Sequence, residues 1–129
     1  AESRASATLA ATDATRAENV LKSAVEHLRT ATKIDGTNAF AWTELGRCEG
    51  RLGNHAMAKA AFQHAIDVDN NYVAAHYGKA IAHLNLGELE AAKAAALKAQ
   101  QGGETRAADL LQNIDQAIAS QKTKANPTK

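Results

Sequence analysis

The chain of 129 residues has one cysteine, one proline, one tryptophan and 4% aromatic residues. A lone thiol, Cys48, excludes an intramolecular disulfide and any metal site built from several cysteines. With one proline and 8 glycines, the turn signals that punctuate sandwiches and barrels are missing. Too few β-branched and aromatic residues are present to cover the faces of a sheet, so an all-β fold is excluded. Charge of one sign is also lacking. Fifteen Lys+Arg against 14 Asp+Glu leave +1, without the clustered basic stripe that nucleic acid requires. Uninterrupted apolar runs are short alanine stretches such as Ala94-Ala95-Ala96, so no segment inserts into a membrane as a span. Glycine-rich phosphate loops, nucleophile elbows and HExxH motifs are absent as well.

Alanine is abundant, at 31 positions. It is the best helix former, and a core filled with it brings helices close while burying little area per residue. Stability must then come from many helix–helix contacts rather than from a few large side chains.

A shift of 34 residues superposes Leu52 on Leu86, Gly53 on Gly87, Ala58 on Ala92 and Ala65 on Ala99. One period upstream, Ala24, Leu28 and Ala31 fall on Ala58, Phe62 and Ala65, and Ile34-Asp35 falls on Val68-Asp69. A fixed period of this length marks a repeat architecture. Gly53-Asn54 has the form of a left-handed helix end followed by an N-cap whose side chain accepts from exposed N–H groups. Gly87-Glu88 does the same one repeat later, with an acid in the first turn. Asp35 to Asn38, Asn70-Asn71 and Gly102 to Thr105 separate the larger units. Helices are predicted near 4–16, 18–33, 39–51, 55–68, 73–85, 89–101 and 105–121.

Trp42-x-x-Leu45-Gly46, followed by Gly53, Ala58, Phe62 and Ala65, resembles the tetratricopeptide repeat. Residues 39–72 match that pattern best, with Glu49 and Asn70 in place of the usual aromatic and proline. Residues 73–106 match through Ala80, Gly87, Leu89, Ala92 and Ala99, but His76 and Lys79 replace large apolar residues. Residues 5–38 match only in their second half. Leu110, Leu111, Ile114, Ala117 and Ile118 form an apolar stripe, so 105–121 is expected to cap the repeats. The resemblance implies an all-α, right-handed superhelical solenoid: three hairpins and a cap in one domain, 1–121. Lys122 to Lys129 is expected to be a disordered basic tail.

His76 and His83 lie seven residues apart, roughly 10 Å along a helix, too far to share one ion. They are expected to be packed and hydrogen-bonded, and no metal or other cofactor is implied. Cys48 is expected to be an inert packed thiol, and Lys79 to snorkel or to pair. The resemblance also implies a concave groove lined by the first helix of each hairpin. The family's groove positions fall on Phe40, Thr43, Arg47 and Arg51, then on Ala74, Tyr77, Ile81, Leu84 and Asn85. In the first repeat they fall on Ser6, Leu9, Asp13 and Arg16. Two arginines beside an aromatic and apolar strip suit a peptide or helix with acidic and apolar residues. The lysine and asparagine clamp that some members use for the C-terminal tails of heat-shock chaperones is missing, because its positions hold Leu9, Asp13, Glu44, Ala74 and Gly78 or, one repeat later, Thr43, Arg47 and Gly78.

The expected function is therefore a non-catalytic scaffold that binds another protein. The alternatives are a self-assembling structural subunit, stacked end to end as a homo-oligomer, and an accessory domain of a larger envelope complex. The chain begins at Ala1 rather than at a methionine, which suits a processed, exported protein or a piece of a longer one; the compartment stays open.

Overall fold

Alanine-rich segments between glycine turns become six α-helices: α1 (Glu2–Ile34), α2 (Ala39–Arg51), α3 (His55–Val68), α4 (Val73–Asn85), α5 (Leu89–Gln101) and α6 (Ala107–Ala125). The computed structural model describes residues 2–125, and side chains between 11 and 124. No strand occurs among the described residues, and no helix there is long and apolar enough to cross a membrane. Helices α2, α4 and α6 start 34 residues apart, as do α3 and α5, so the sequence period is the period of the fold. Each helix packs on the next, and α4 also touches α2 and α6. The molecule is thus an all-α repeat solenoid in which α2, α4 and α6 form an inner row.

The turns follow from glycine. Gly53, Gly87 and Gly103 have φ of 85°, 77° and 99°, a region open to glycine and costly for other residues. Past each one the chain closes a wide turn: Asn54 N–H donates to Glu49 O (2.9 Å), Glu88 N–H to His83 O (2.9 Å) and Glu104 N–H to Ala99 O (3.0 Å). These bonds satisfy carbonyls that a helix end leaves open. Asn54 and Glu88 do not cap the following helices with their side chains. The Asn54 amide donates to Glu49 instead (2.9 Å). Asn38 does cap α2, accepting from Ala41 N–H at 3.1 Å.

The start of the chain corrects the sequence reading. Helices were expected at 4–16 and 18–33, folded into a first hairpin, but α1 is continuous through Ala17. Arg16-Ala17-Glu18 contains only good helix formers and no glycine, proline or asparagine to turn the chain. Residues 11–20 are exposed, and packing begins further on, where Val25 is buried with Leu45 and Ala61. The architecture is therefore a half-repeat, two complete hairpins and a second half-repeat. At the other end α6 runs through Lys122–Lys124 to Ala125, where a disordered tail was expected. Residues 126–129 of that tail lie outside the described residues.

Phe62 joins the two hairpins. A Cβ built at Gly46 of α2 would meet its ring at 2.7 Å, and one built at Gly78 of α4 at 2.4 Å. Only side chains without a Cβ let both inner helices close on the ring. Alanine supplies the remaining approach: Ala58, Ala65, Ala75, Ala92 and Ala99 are at most 1% exposed.

Polar residues stand where the family has large apolar ones, and each has a partner. Glu49 is 2% exposed and accepts from Arg29 Nη2 and Asn54 Nδ2, both at 2.9 Å. His76 Nε2 bonds Asn70 O at 2.8 Å, Lys79 Nζ donates to Gln63 Oε1 at 2.7 Å, and His83 Nδ1 bonds Glu88 Oε1 at 2.9 Å. Lys79 pairs with a neutral amide rather than an acid. Burial pushes the Cys48 thiol above its ordinary range, with Glu44 adding to the shift. The thiol stays protonated and therefore a poor nucleophile.

Two outcomes test this packing by denaturant unfolding. Ala58→Leu should overpack the first hairpin and cost about 1–3 kcal/mol. Gly78→Ala should also destabilise, even though alanine favours a helix by about 1 kcal/mol over glycine, because its Cβ runs into Phe62. The Gly78→Ala cost should shrink in a Phe62→Leu background; additive losses would mean that the ring is not the obstacle. Arg29→Ala should cost about 1–3 kcal/mol, because it leaves the buried Glu49 carboxylate one partner short.

Candidate functional site

On the inner row, α2 presents Arg47 and Arg51 one turn apart, and α4 presents Ala74, Tyr77, Ile81 and Asn85 at helical spacing. Together they line a cavity of about 410 Å³ whose floor includes Phe62, Gly46, Gly78 and Ala58. The ring that holds the hairpins together is thus also part of the wall. His55, at the start of α3, and Arg106, from the turn before α6, complete the lining.

Six of the residues expected to line the groove are brought together: Arg47, Arg51, Ala74, Tyr77, Ile81 and Asn85. Three are not. Thr43 is 1% exposed, and its hydroxyl donates to Ala39 O at 2.8 Å, so it is a core residue. Phe40 is 61% exposed but lies outside the cavity, at the first turn of α2. Leu84 is half-buried against the cluster of Ala80, Ala92 and Ile114, which turns it toward α5 and α6. In the first repeat, Asp13 and Arg16 stand on the exposed part of α1 and are not among the residues that line this cavity. The side chains of Ser6 and Leu9 lie outside the described residues.

Arg106 and His55 are the site residues that sequence reasoning missed. Treating 105–121 as a cap hid the first of them. Helix α6 starts one period after α4 and is the inner helix of a further repeat, so its leading turn belongs to the groove. His55 Nδ1 is buried without a hydrogen-bond partner, a property that spacing does not reveal.

The electrostatics divide the three guanidinium groups. Arg47 Nη1 is 3.1 Å from Glu44 Oε1. Arg106 grips Glu104 with both arms of its fork, Nε to Oε1 at 2.9 Å and Nη2 to Oε2 at 3.0 Å. Its backbone N–H adds a third bond at 3.1 Å. The same guanidinium lies 4.5 Å from the centroid of the Tyr77 ring, within range of a cation–π attraction. Arg51 has no ion pair or hydrogen bond among the described residues. No group of three or more His, Cys, Asp or Glu there could hold a metal ion.

The Arg106 hydrogen bonds, with a smaller contribution from the charge of Arg47, hold the Glu104 carboxyl down at about 2. A depressed carboxyl stabilises the fold fully above its ordinary value of 4.5, and that contribution is lost as pH falls toward the folded value. Carbon-13 titration of the Glu104 carboxyl should therefore give a midpoint near about 2, and Arg106→Ala should return it toward the ordinary range. A midpoint already at the ordinary value in the wild-type protein would show that the pair is open in solution.

The fold has counterparts among known proteins. The tetratricopeptide repeat family matches at residues 41–72 and 73–101. No curated protein matches the chain in sequence. Among solved structures, the chain is similar to the first TPR domain of human RPAP3, with TM-score 0.78 and 21% identity over 86% of this chain and 89% of that one. The Sgt2 TPR domain from Aspergillus fumigatus gives TM-score 0.77 and 21% identity over 89% of this chain and 79% of that one. PcrH, solved in complex with the chaperone-binding region of PopD, gives 0.72 and 19% over 89% and 93%. At these identities the likeness concerns the fold, and the two matched tetratricopeptide repeats coincide with the two complete hairpins of this chain.

Proposed function

We propose that the chain is a non-catalytic scaffold that holds a segment of a partner protein in the groove of its inner helices. One observation carries this reading. A cavity of about 410 Å³ joins an apolar floor to three guanidinium groups, one of which has no acid of its own. The volume falls in the range of ligand sites. Its chemistry suits a segment that offers an acidic group to the arginines and an apolar one to Ile81 and Tyr77. Neighbouring structures of the same fold support the reading. The first TPR of Spaghetti (RPAP3) is solved with an HSP90 peptide, and PcrH with a region of PopD.

A second reading, self-association, is favoured by α1, whose residues 11–20 are exposed and so present a helix surface to another copy. Sedimentation over a range of concentration decides it: a monomer throughout removes this reading.

Capture of the partner from the native source, followed by calorimetry, tests the groove. Arg47→Ala combined with Arg51→Ala should weaken binding by roughly 1.5–3 kcal/mol and flatten its salt dependence. Tyr77→Ala should cost about 2 kcal/mol or more at any salt. Tyr77 is half-buried against the α4–α6 cluster, so its variant needs thermal unfolding as a control. Unchanged affinity in both variants, with helicity intact, would move the partner to another face.

A further inference from the structure

The groove holds more positive charge than it has free, and the difference has a specific source. Two of its three arginines are engaged within the chain. Glu44 neutralises Arg47, and Glu104 takes Arg106 in the fork-to-fork geometry with which a guanidinium recognises a carboxylate. The Glu104–Arg106 pair sits in the turn that follows Gly103 at φ 99°, and its guanidinium lies on Tyr77. Arg51 is unengaged, and Asn85, whose side chain also has no hydrogen bond among the described residues, lines the same cavity. The last turns of α2 and α4 carry these two residues, one repeat apart.

We propose that the groove reads one carboxylate of its partner at Arg51 and Asn85, and that Glu104 is a resident stand-in for a second, keeping Arg106 closed to partner acids. This deepens the scaffold reading and rests on it. The ligand chemistry is a carboxylate carried on an apolar body, because the floor beside Arg51 is Ala58, Phe62, Ile81 and Ala82. An acidic side chain and a chain-terminal carboxylate share that chemistry. Glu104 is then a specificity-determining residue. It limits the groove to segments with one acid at this end, and partners carrying two acids gain nothing from the second.

The test is a nitrogen-15 NMR titration of the full chain with 4-phenylbutyrate, using 4-phenylbutanol as the uncharged control. The Arg51 Nε–H and Asn85 amide signals should shift saturably with the acid and stay still with the alcohol, while Arg106 Nε–H stays still with both. Arg51→Gln should abolish the acid-specific shifts. In Glu104→Gln, Arg106 Nε–H should begin to shift with the acid as a second, separate site, while the affinity read at Arg51 stays as in the wild-type chain; an Arg106 that stays silent in this variant overturns the stand-in role. Two hexapeptides of leucine and serine separate the sources. One carries an internal Glu and an amidated end; the other carries Gln and a free C-terminus. Binding by either supports the proposal and names the source, and binding by neither overturns it. Arg106 moving together with Arg51 in the wild-type chain overturns the stand-in role of Glu104, and this arm needs no variant to fold. Equal responses of Ile81 to acid and alcohol, with Arg51 silent, overturn the carboxylate site but leave an apolar partner groove standing. Silence throughout overturns the proposal, while the captured partner still judges the scaffold reading separately.

Discussion

The contact of Phe62 with the glycine faces of α2 and α4 is the constraint on which both the fold and the groove depend. An alanine-rich interface has little area per residue to hold two hairpins at a fixed angle. One large ring trapped between two Cβ-free surfaces supplies both area and a defined separation. Gly46 and Gly78 would weaken an isolated helix by about 1 kcal/mol each relative to alanine, and that cost is accepted where closeness is worth more. Because the ring also lines the cavity, a change that loosens the hairpins alters the groove floor at the same time. In this protein the cavity wall is part of the core.

The two ends of the solenoid meet the same problem differently. A repeat buries its apolar face only against a neighbour, so a terminal helix needs either a polar outer side or a partner. Helix α6 takes the first course: Leu110 and Ile114 are buried and most of its remaining turns are exposed. Helix α1 covers α2 with its second half and continues for several turns past the body. Along its exposed part Thr15 donates to Ala11 O and Glu18 pairs with Lys22 one turn on, both contacts within α1 itself. Such pairs contribute a few tenths of a kcal/mol each. That places the exposed part of α1 at the low end of local stability in the molecule.

Much of the fold was legible because the period of 34 repeats structure as well as letters. Gly53 and Gly87 are at positive φ where the sequence put the turns. The break expected at Ala17 was not there, since a repeat pattern was extended over residues that carry none of its turn chemistry. The groove was legible in part, because helical spacing says which residues share a face but not how far the face curves inward. Thr43 lies on the expected helix yet is covered. Leu84 lies on the same helix as Ile81 yet turns toward α5 and α6. Arg106 belongs to a turn, and only the docking of α6 beside α4 brings it over Tyr77.

Pairing, more than charge, then decides what the groove offers. A sequence scan counts arginines as equal, but in a folded groove each guanidinium is worth what its neighbours leave uncompensated. Arg106 has three bonds to one carboxylate and an aromatic face beneath it. A ligand acid would have to displace an intramolecular competitor that is already positioned and so loses little further entropy on binding. Arg51 has no such competitor, and engaging it costs a ligand only the removal of water. Two arginines within one cavity therefore differ in the charge they leave uncompensated, because a turn of the chain places an acid beside one of them.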